Sequence, residues 1–405
     1  MRHDPVHAAR WAIVRIMFSS PPGLGHIQPM LPLALQVQVR GHDVLWATGP
    51  DGCGRVASVG LATSRAGLPA GEPPREYRRR WPEAVSLSGE ARADHIFSKL
   101  FGGIIAHAAF PELLAAARQY KPDVMVSGAG DFAAPIVAAS LGVPQLTHGF
   151  GAVIPGERVK AAAAEAADLW QSVGLAPLPF GGCYQSMYLD IYPPSLGDAA
   201  LGHIPRIQRV RPGSLTALPG DSVPGDVARL LKEERPVVYL TFGTVFNKNP
   251  AFTAAVTALA HIPDVNTVVT VGPTGDPGSF GALPAHVVIA RYVPQSALLP
   301  RCSVVVSHGG SGTLLGGLAA GIPQVVLPQA ADQFRNADAC AAANAGLALT
   351  GSHVTSETIE ASIHQILNED GFATHARRLA NEIASMPTVA DAASTIEALV
   401  TTTGT

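Results

Sequence analysis

Two glycine-rich turns and a pair of polar side chains are the parts of this sequence best suited to chemistry. The run Val304-Val305-Val306 leads into His308-Gly309-Gly310-Ser311-Gly312-Thr313, and a second turn follows at Pro328-Gln329-Ala330-Ala331-Asp332-Gln333. The β-branched run reads as a buried parallel strand, and the glycines after it let backbone N–H groups approach an anion at the start of the next helix. A helix N-terminus carries roughly +0.5 of an elementary charge, which suits a diphosphate. Beside this cradle, Asp332 and Gln333 can bond to sugar hydroxyls, and Asp332 also fits a helix N-cap. In the other half of the chain, Gly23-Leu24-Gly25-His26 sets an imidazole in the turn after a strand. Its unperturbed pKa of about 6.5 leaves a neutral ring at neutral pH, able to accept a proton from a hydroxyl.

Alternating strand and helix signals position these turns. Ala12–Phe18 reads as a strand, Pro29–Arg40 as a helix and Val44–Ala47 as the next strand, which makes a βαβ unit. Strands follow at Val124–Ser127 and Gln145–Thr147, with helices near Phe110–Gln119 and Ala133–Leu141. The pattern restarts after Arg209–Gly225, a Pro- and Gly-rich stretch that reads as a linker. Strands at Val237–Thr241, Val265–Val271, Val287–Ala290, Val304–Ser307 and Gln324–Leu327 then alternate with helices. The expected fold is α/β, two doubly wound Rossmann-like domains facing across a cleft. Its expected parts are an N-terminal acceptor-binding domain over 1–215, a C-terminal domain over 216–385, and a helix over 386–405 that can pack back on the N-terminal domain.

Composition narrows the function. The chain has 405 residues, 47% hydrophobic and 15% charged, with a net charge of -3, so it offers no basic field for nucleic acid. Cysteines 53, 183, 302 and 340 are too dispersed for metal-ligand spacing or a secretory disulfide framework, and the expected compartment is the cytoplasm. The N-terminal segment lacks a signal-peptide pattern, and no membrane insertion is expected. His95, His107 and His203 are scattered without metal-ligand spacing, and neither Gly-x-Ser-x-Gly nor a Walker A lysine is present.

The chain resembles the GT-B glycosyltransferases of family 1, nearest to the actinobacterial enzymes that decorate natural products. The resemblance rests on an ordered set: Pro22-Gly23-Leu24-Gly25-His26-Ile27-Gln28-Pro29, Arg40-Gly41-His42-Asp43-Val44, Phe242-Gly243-Thr244, Tyr292-Val293-Pro294-Gln295, His308–Thr313 and Pro328–Phe334. It implies an inverting transfer with a TDP-sugar or UDP-sugar as co-substrate, no other cofactor and no metal. Val293 and Gln295 are implied to receive the nucleobase. Gly243, Thr244, His308, Gly309, Gly310, Ser311, Gly312 and Thr313 would hold the diphosphate, and Asp332 and Gln333 the sugar. Where many uridine-using relatives carry a ribose-binding Glu, this chain has Gly316, which favours a TDP-deoxysugar.

By the same resemblance His26 is the general base. Its usual Asp partner would fall on Gly128, and Asp131, three residues on, takes the role only if the loop turns back. Phe97, Phe101, His148, Trp170 and Met187 are candidates to line the pocket of a hydrophobic small-molecule acceptor, from segments about 72–110 and 153–192 that look less regular than the rest. A homodimer is a compatible assembly. Three readings compete. A dinucleotide oxidoreductase lacks the third glycine of its fingerprint in both turns, and a nucleotide-sugar epimerase would need no acceptor. A catalytically impaired nucleotide-sugar-binding partner of a glycosyltransferase draws support from the missing Asp at 128.

Overall fold

Short apolar runs buried on both faces satisfy their backbone groups inside a sheet covered on both sides, and the chain forms two such sheets, each parallel and flanked by helices. The computed structural model describes residues 13–197, 201–213, 222–243, 249–272 and 275–403. The first sheet holds β1 (Arg15–Ser19), β2 (Asp43–Thr48), β3 (Ala62–Arg65), β4 (Val124–Gly128), β5 (Gln145–His148), β6 (Met187–Asp190) and β7 (Ile207–Arg209), in the order β3-β2-β1-β4-β5-β6-β7. The second holds β8 (Val237–Thr241), β9 (Asn266–Thr270), β10 (Val287–Ala290), β11 (Val304–Ser307), β12 (Gln324–Val326) and β13 (Gly346–Ala348), in the order β10-β9-β8-β11-β12-β13. Every pairing is parallel. Strand order reverses between β1 and β4 in one sheet and between β8 and β11 in the other, and such switch points open a crevice at the carboxyl ends of the strands.

The segment expected to be irregular before Phe110 is instead helical. Gly89–Phe97, Ser98–Ile105 and Ala106–Tyr120 run on as one helix whose middle part is a π-turn. This 32-residue stretch is apolar and long enough to cross a membrane by composition, yet it carries Asp94 and Lys99, which pair with Arg158 and Glu165 of the helix Gly156–Glu165. Gly102 explains the close packing of these two helices, since a Cβ there would stand 2.0 Å from the Ala162 carbonyl oxygen. The second irregular segment likewise contains that helix and β6. Arg209, read as the start of the linker, ends β7; the expected boundary at 215/216 lies outside the described residues.

The C-terminal helix Val389–Thr403 lies along the helix Leu31–Val39 of the first sheet's layer. The Arg40-Gly41-His42 turn holds it there. Arg40 Nη1 donates to both Glu397 oxygens at 2.9 and 3.0 Å, and His42 Nε2 meets Glu397 Oε1 at 2.9 Å while its Nδ1 accepts from the Val14 N–H. Apolar packing is continuous across the junction as well. The core under β1 and β4 runs through Ile191, Tyr192 and Leu196 to Ala337, Cys340 and Leu379 of the second unit.

Candidate active site

At the first switch point, Gly23 caps the one-turn helix Leu24–Ile27, and buried Ile27 and Met30 anchor that turn to the core. His26 is thereby held at the mouth of the crevice. Its ring is half-buried between two aromatic side chains, with centroids 4.7 Å from Phe150, met edge-on, and 5.4 Å from Phe101 on the π-turn. Nδ1 is shielded from solvent and makes no hydrogen bond. Burial pushes the imidazole down to about 4, opposed by the backbone carbonyl of Ala129. The ring is therefore neutral at neutral pH.

The expected dyad with Asp131 does not form. Asp131 Oδ2 accepts from Ser19 Oγ at 2.5 Å, and Oδ1 accepts from the N–H groups of Ala133 and Ala134 at 3.1 and 3.0 Å. A carboxylate three residues before a helix finds those otherwise orphaned N–H groups within easier reach than a ring across the crevice, so Asp131 braces the helix Ala134–Leu141. Burial raises its carboxyl pKa. Gly128 ends β4 directly under the turn, where a Cβ would lie 3.2 Å from Met30 Sδ and 3.9 Å from the His26 carbonyl oxygen. His148 pairs with Gly128 across β4 and β5 and turns its Nδ1 to the Gly149 carbonyl at 2.6 Å. Burial pushes His148 too down to about 4.

The second switch point surrounds its histidine turn with polar groups, where the first sets His26 between aromatic rings. Gly309 leaves β11 with φ +79°, a left-handed conformation that suits glycine, and Gly310 caps the helix Ser311–Ala319. A Cβ on Gly310 would come within 2.6 Å of His308 Nε2, so the turn closes only over a hydrogen. Leu314 is the first residue to bond back into this helix, onto the Gly310 carbonyl, which leaves the N–H groups of Ser311, Gly312 and Thr313 at its open end. Gly243 packs under the His308 ring from the neighbouring β8 turn. Burial pushes His308 down to about 4, against the Thr241 carbonyl. Thr244 lies outside the described residues.

Around this turn, Asp332 Oδ2 accepts from Ser311 Oγ at 2.7 Å and from Asn336 Nδ2 at 3.2 Å. Gln333 Oε1 accepts from the N–H groups of Gln329 and Ala330 at 2.8 and 2.9 Å, bracing a loop in which Ala331 takes φ +56°. Its amide oxygen is thus engaged within the protein. Val293 is buried in the core and Gln295 Nε2 bonds Tyr239 Oη at 3.4 Å. Position 316 faces this loop, since a Cβ on Gly316 would stand 3.9 Å from Gln295 Oε1 without a clash.

Of the acceptor-side candidates, Phe97 and Phe101 stack at 5.0 Å and bring Phe101 onto His26. Trp170 is 1% exposed and packs in the core against Gly182, and Met187 lies on β6 against the central core, so neither belongs to the wall around His26. Sequence reasoning passed over Phe150, Gly151 and Asn336. Phe150 and Gly151 sit on the loop after β5, which touches His26 at one residue and Ser311 at the next: a Cβ on Gly151 would fall 1.9 Å from Ser311 Oγ. Asn336 stands four residues after Asp332 on one helix, a spacing that puts both on the same face and was the available signal.

Comparison with known proteins agrees with this geometry. Residues 256–399 match the family described as "Erythromycin biosynthesis protein CIII-like, C-terminal domain". The chain is 33% identical over 390 residues to elloramycin glycosyltransferase ElmGT of Streptomyces olivaceus, covering 94% of this chain and 96% of that one. It is 30% identical over 383 residues to the L-demethylnoviosyl transferase of Streptomyces niveus, covering 93% and 96%. Among solved structures, the spinosyn rhamnosyltransferase SpnG complexed with spinosyn aglycone superposes with a TM-score of 0.79 at 27% identity, over 95% of this chain and 100% of that one. SsfS6 of Streptomyces sp. SF2575 complexed with thymidine diphosphate gives 0.74 at 27%, over 95% and 99%. Sequence, fold and site together make this chain a GT-B glycosyltransferase, a member of the actinobacterial family of antibiotic and natural-product glycosyltransferases.

Proposed function

We propose that the protein transfers a deoxysugar from a TDP-sugar to a hydroxyl of a hydrophobic natural-product aglycone, with inversion and without a metal. One observation carries this reading. The loop after β5 sets Phe150 on His26 and Gly151 on Ser311, so a proton acceptor and a diphosphate cradle face the same crevice. His26 takes the acceptor proton as the acceptor oxygen bonds to the anomeric carbon. The bond from that carbon to the diphosphate oxygen breaks, and TDP leaves with its charge toward the N–H groups of Ser311–Thr313. Hydrogen bonds to charged oxygens are worth about 1.5–3 kcal/mol each, so several converging donors stabilise the leaving group. The chain contains no Asp-x-Asp sequence, in keeping with a metal-independent departure.

Gly316 supports thymidine over uridine, because glycine offers a ribose hydroxyl no acceptor. Two similar enzymes are described as thymidine diphosphate complexes, SsfS6 and SpnG. Phe101 and Phe150 give the acceptor side an apolar wall suited to an aromatic or polyketide-like aglycone. The four free cysteines suit a reducing cytoplasm. Calorimetric titration with TDP and UDP, with and without magnesium, tests the donor side. Tighter binding of TDP, unchanged by magnesium, is expected; stronger UDP binding would overturn the Gly316 argument. Gly316→Glu, which the local space admits, should shift the preference toward UDP by about tenfold.

A further inference from the structure

The donor turn belongs to the second sheet, yet its most buried polar group is tied to the first. Asn336 is fully buried, and its Nδ2 donates to the Gly309 carbonyl at 2.8 Å, Ser311 Oγ at 3.0 Å and Asp332 Oδ2 at 3.2 Å. Its Oδ1 accepts from Tyr192 Oη at 3.1 Å. Tyr192 comes from the chain leaving β6, and that chain is itself fixed: Asp190 Oδ1 accepts the Tyr192 N–H at 2.9 Å, and Arg209 Nη1 bonds both the Tyr192 carbonyl and Asp190 Oδ2. Burial raises the pKa of the Tyr192 phenol, so its proton stays available as a donor. With the amide reversed, Oδ1 would face the Gly309 carbonyl and the Asp332 carboxylate, acceptor against acceptor.

Two more contacts cross the junction within a helical turn of Asn336. Gly151 abuts Ser311 Oγ, and Arg335 Nη1 donates to the Val153 carbonyl at 2.9 Å. Several of the crossings thus fall on the residues that would meet the donor.

We propose that Tyr192 is a positioning residue for the donor site of the opposite domain: its hydroxyl fixes the Asn336 amide, which in turn presents Ser311 and Asp332 together toward the crevice. Donor affinity then depends on the domain that binds the acceptor. This rests on the reading of Ser311 and Asp332 as donor ligands given above.

The test uses the full chain, with TDP titrated by calorimetry, donor KM and kcat measured, and melting followed. Tyr192→Phe keeps the ring and removes only the hydrogen bond, and it should raise the TDP Kd about fivefold with kcat nearly unchanged. The effect should vanish in the Ser311→Ala background, because Ser311 is the group through which it acts. Asn336→Asp, which sets a carboxylate beside Asp332, should raise donor KM more steeply and recover in part toward acid pH. If Ser311→Ala weakens TDP but Tyr192→Phe leaves Kd alone, the positioning role is wrong and the cradle stands. Equal losses from Tyr192→Phe in both backgrounds would mean a merely structural contact and overturn the inference. If Ser311→Ala itself leaves TDP binding intact, the Ser311 hydroxyl does not meet the donor and the inference falls, while the N–H cradle of Ser311–Thr313 stands.

Discussion

The two switch points set their candidate histidines in contrasting surroundings. His26 sits between aromatic rings, while the His308 turn is surrounded by Ser311, Asp332, Asn336 and the open end of a helix. Burial pushes both rings down to about 4, but the consequence differs. Under the proposed function the neutral ring in the apolar recess serves as the base, and the negative charge of a bound diphosphate would raise its affinity for a proton. On the same reading the His308 ring, beside the N–H groups of its turn, would add one more donor without becoming a fixed charge. Under the proposed function, one topology, used twice, divides the reaction into a proton-accepting half and an anion-holding half.

The largest effect should come from removing the base. His26→Ala is expected to lower the transfer rate by about 10²–10⁴ while leaving TDP binding at its wild-type value. A steady-state rate close to wild type would remove His26 from the chemistry and blur the contrast between the halves. Next comes the cradle. Gly310→Ala drives a methyl group against the His308 ring, and overpacking of this kind costs about 1–3 kcal/mol, so TDP affinity should fall about ten- to a hundredfold.

Acid should act on both halves at once and more gently. His26, His148 and His308 all sit near 4 in the folded chain against about 6.5 when unfolded. Between those values the unfolded chain binds more protons, so stability is full above about pH 6.5 and declines as pH falls toward 4. Asp131, whose carboxyl pKa is raised, works weakly in the opposite sense. The melting temperature should drop progressively from pH 7 to 5, and a flat profile would mean that these rings are less buried than described.

The sequence conveyed the two sheets because buried parallel strands are near-continuous apolar runs; β8, β10 and β11 lie where Val237–Thr241, Val287–Ala290 and Val304–Ser307 were read. It concealed β3, β6, β7 and β13, which are short and carry no run of β-branched residues. It also concealed the helix through Ser98–Ile105, where Gly102 and Gly103 look like breakers but serve close packing on Ala162. The glycine turns were legible because each glycine answers a local demand. Asp131 was misassigned because chain distance could not reveal that Ser19 and the helix after it take both carboxylate oxygens. Tyr192 and Asn336 are 144 residues apart, and only the folded chain brings them together.

The division of labour is tested most directly by one calorimetric series in which wild type, His26→Ala and Gly310→Ala are titrated with TDP. The account predicts that His26→Ala binds TDP like the wild type while Gly310→Ala binds at least tenfold more weakly. Weakened binding in His26→Ala with unchanged binding in Gly310→Ala would contradict it, because the nucleotide would then lie at the first switch point instead of the second.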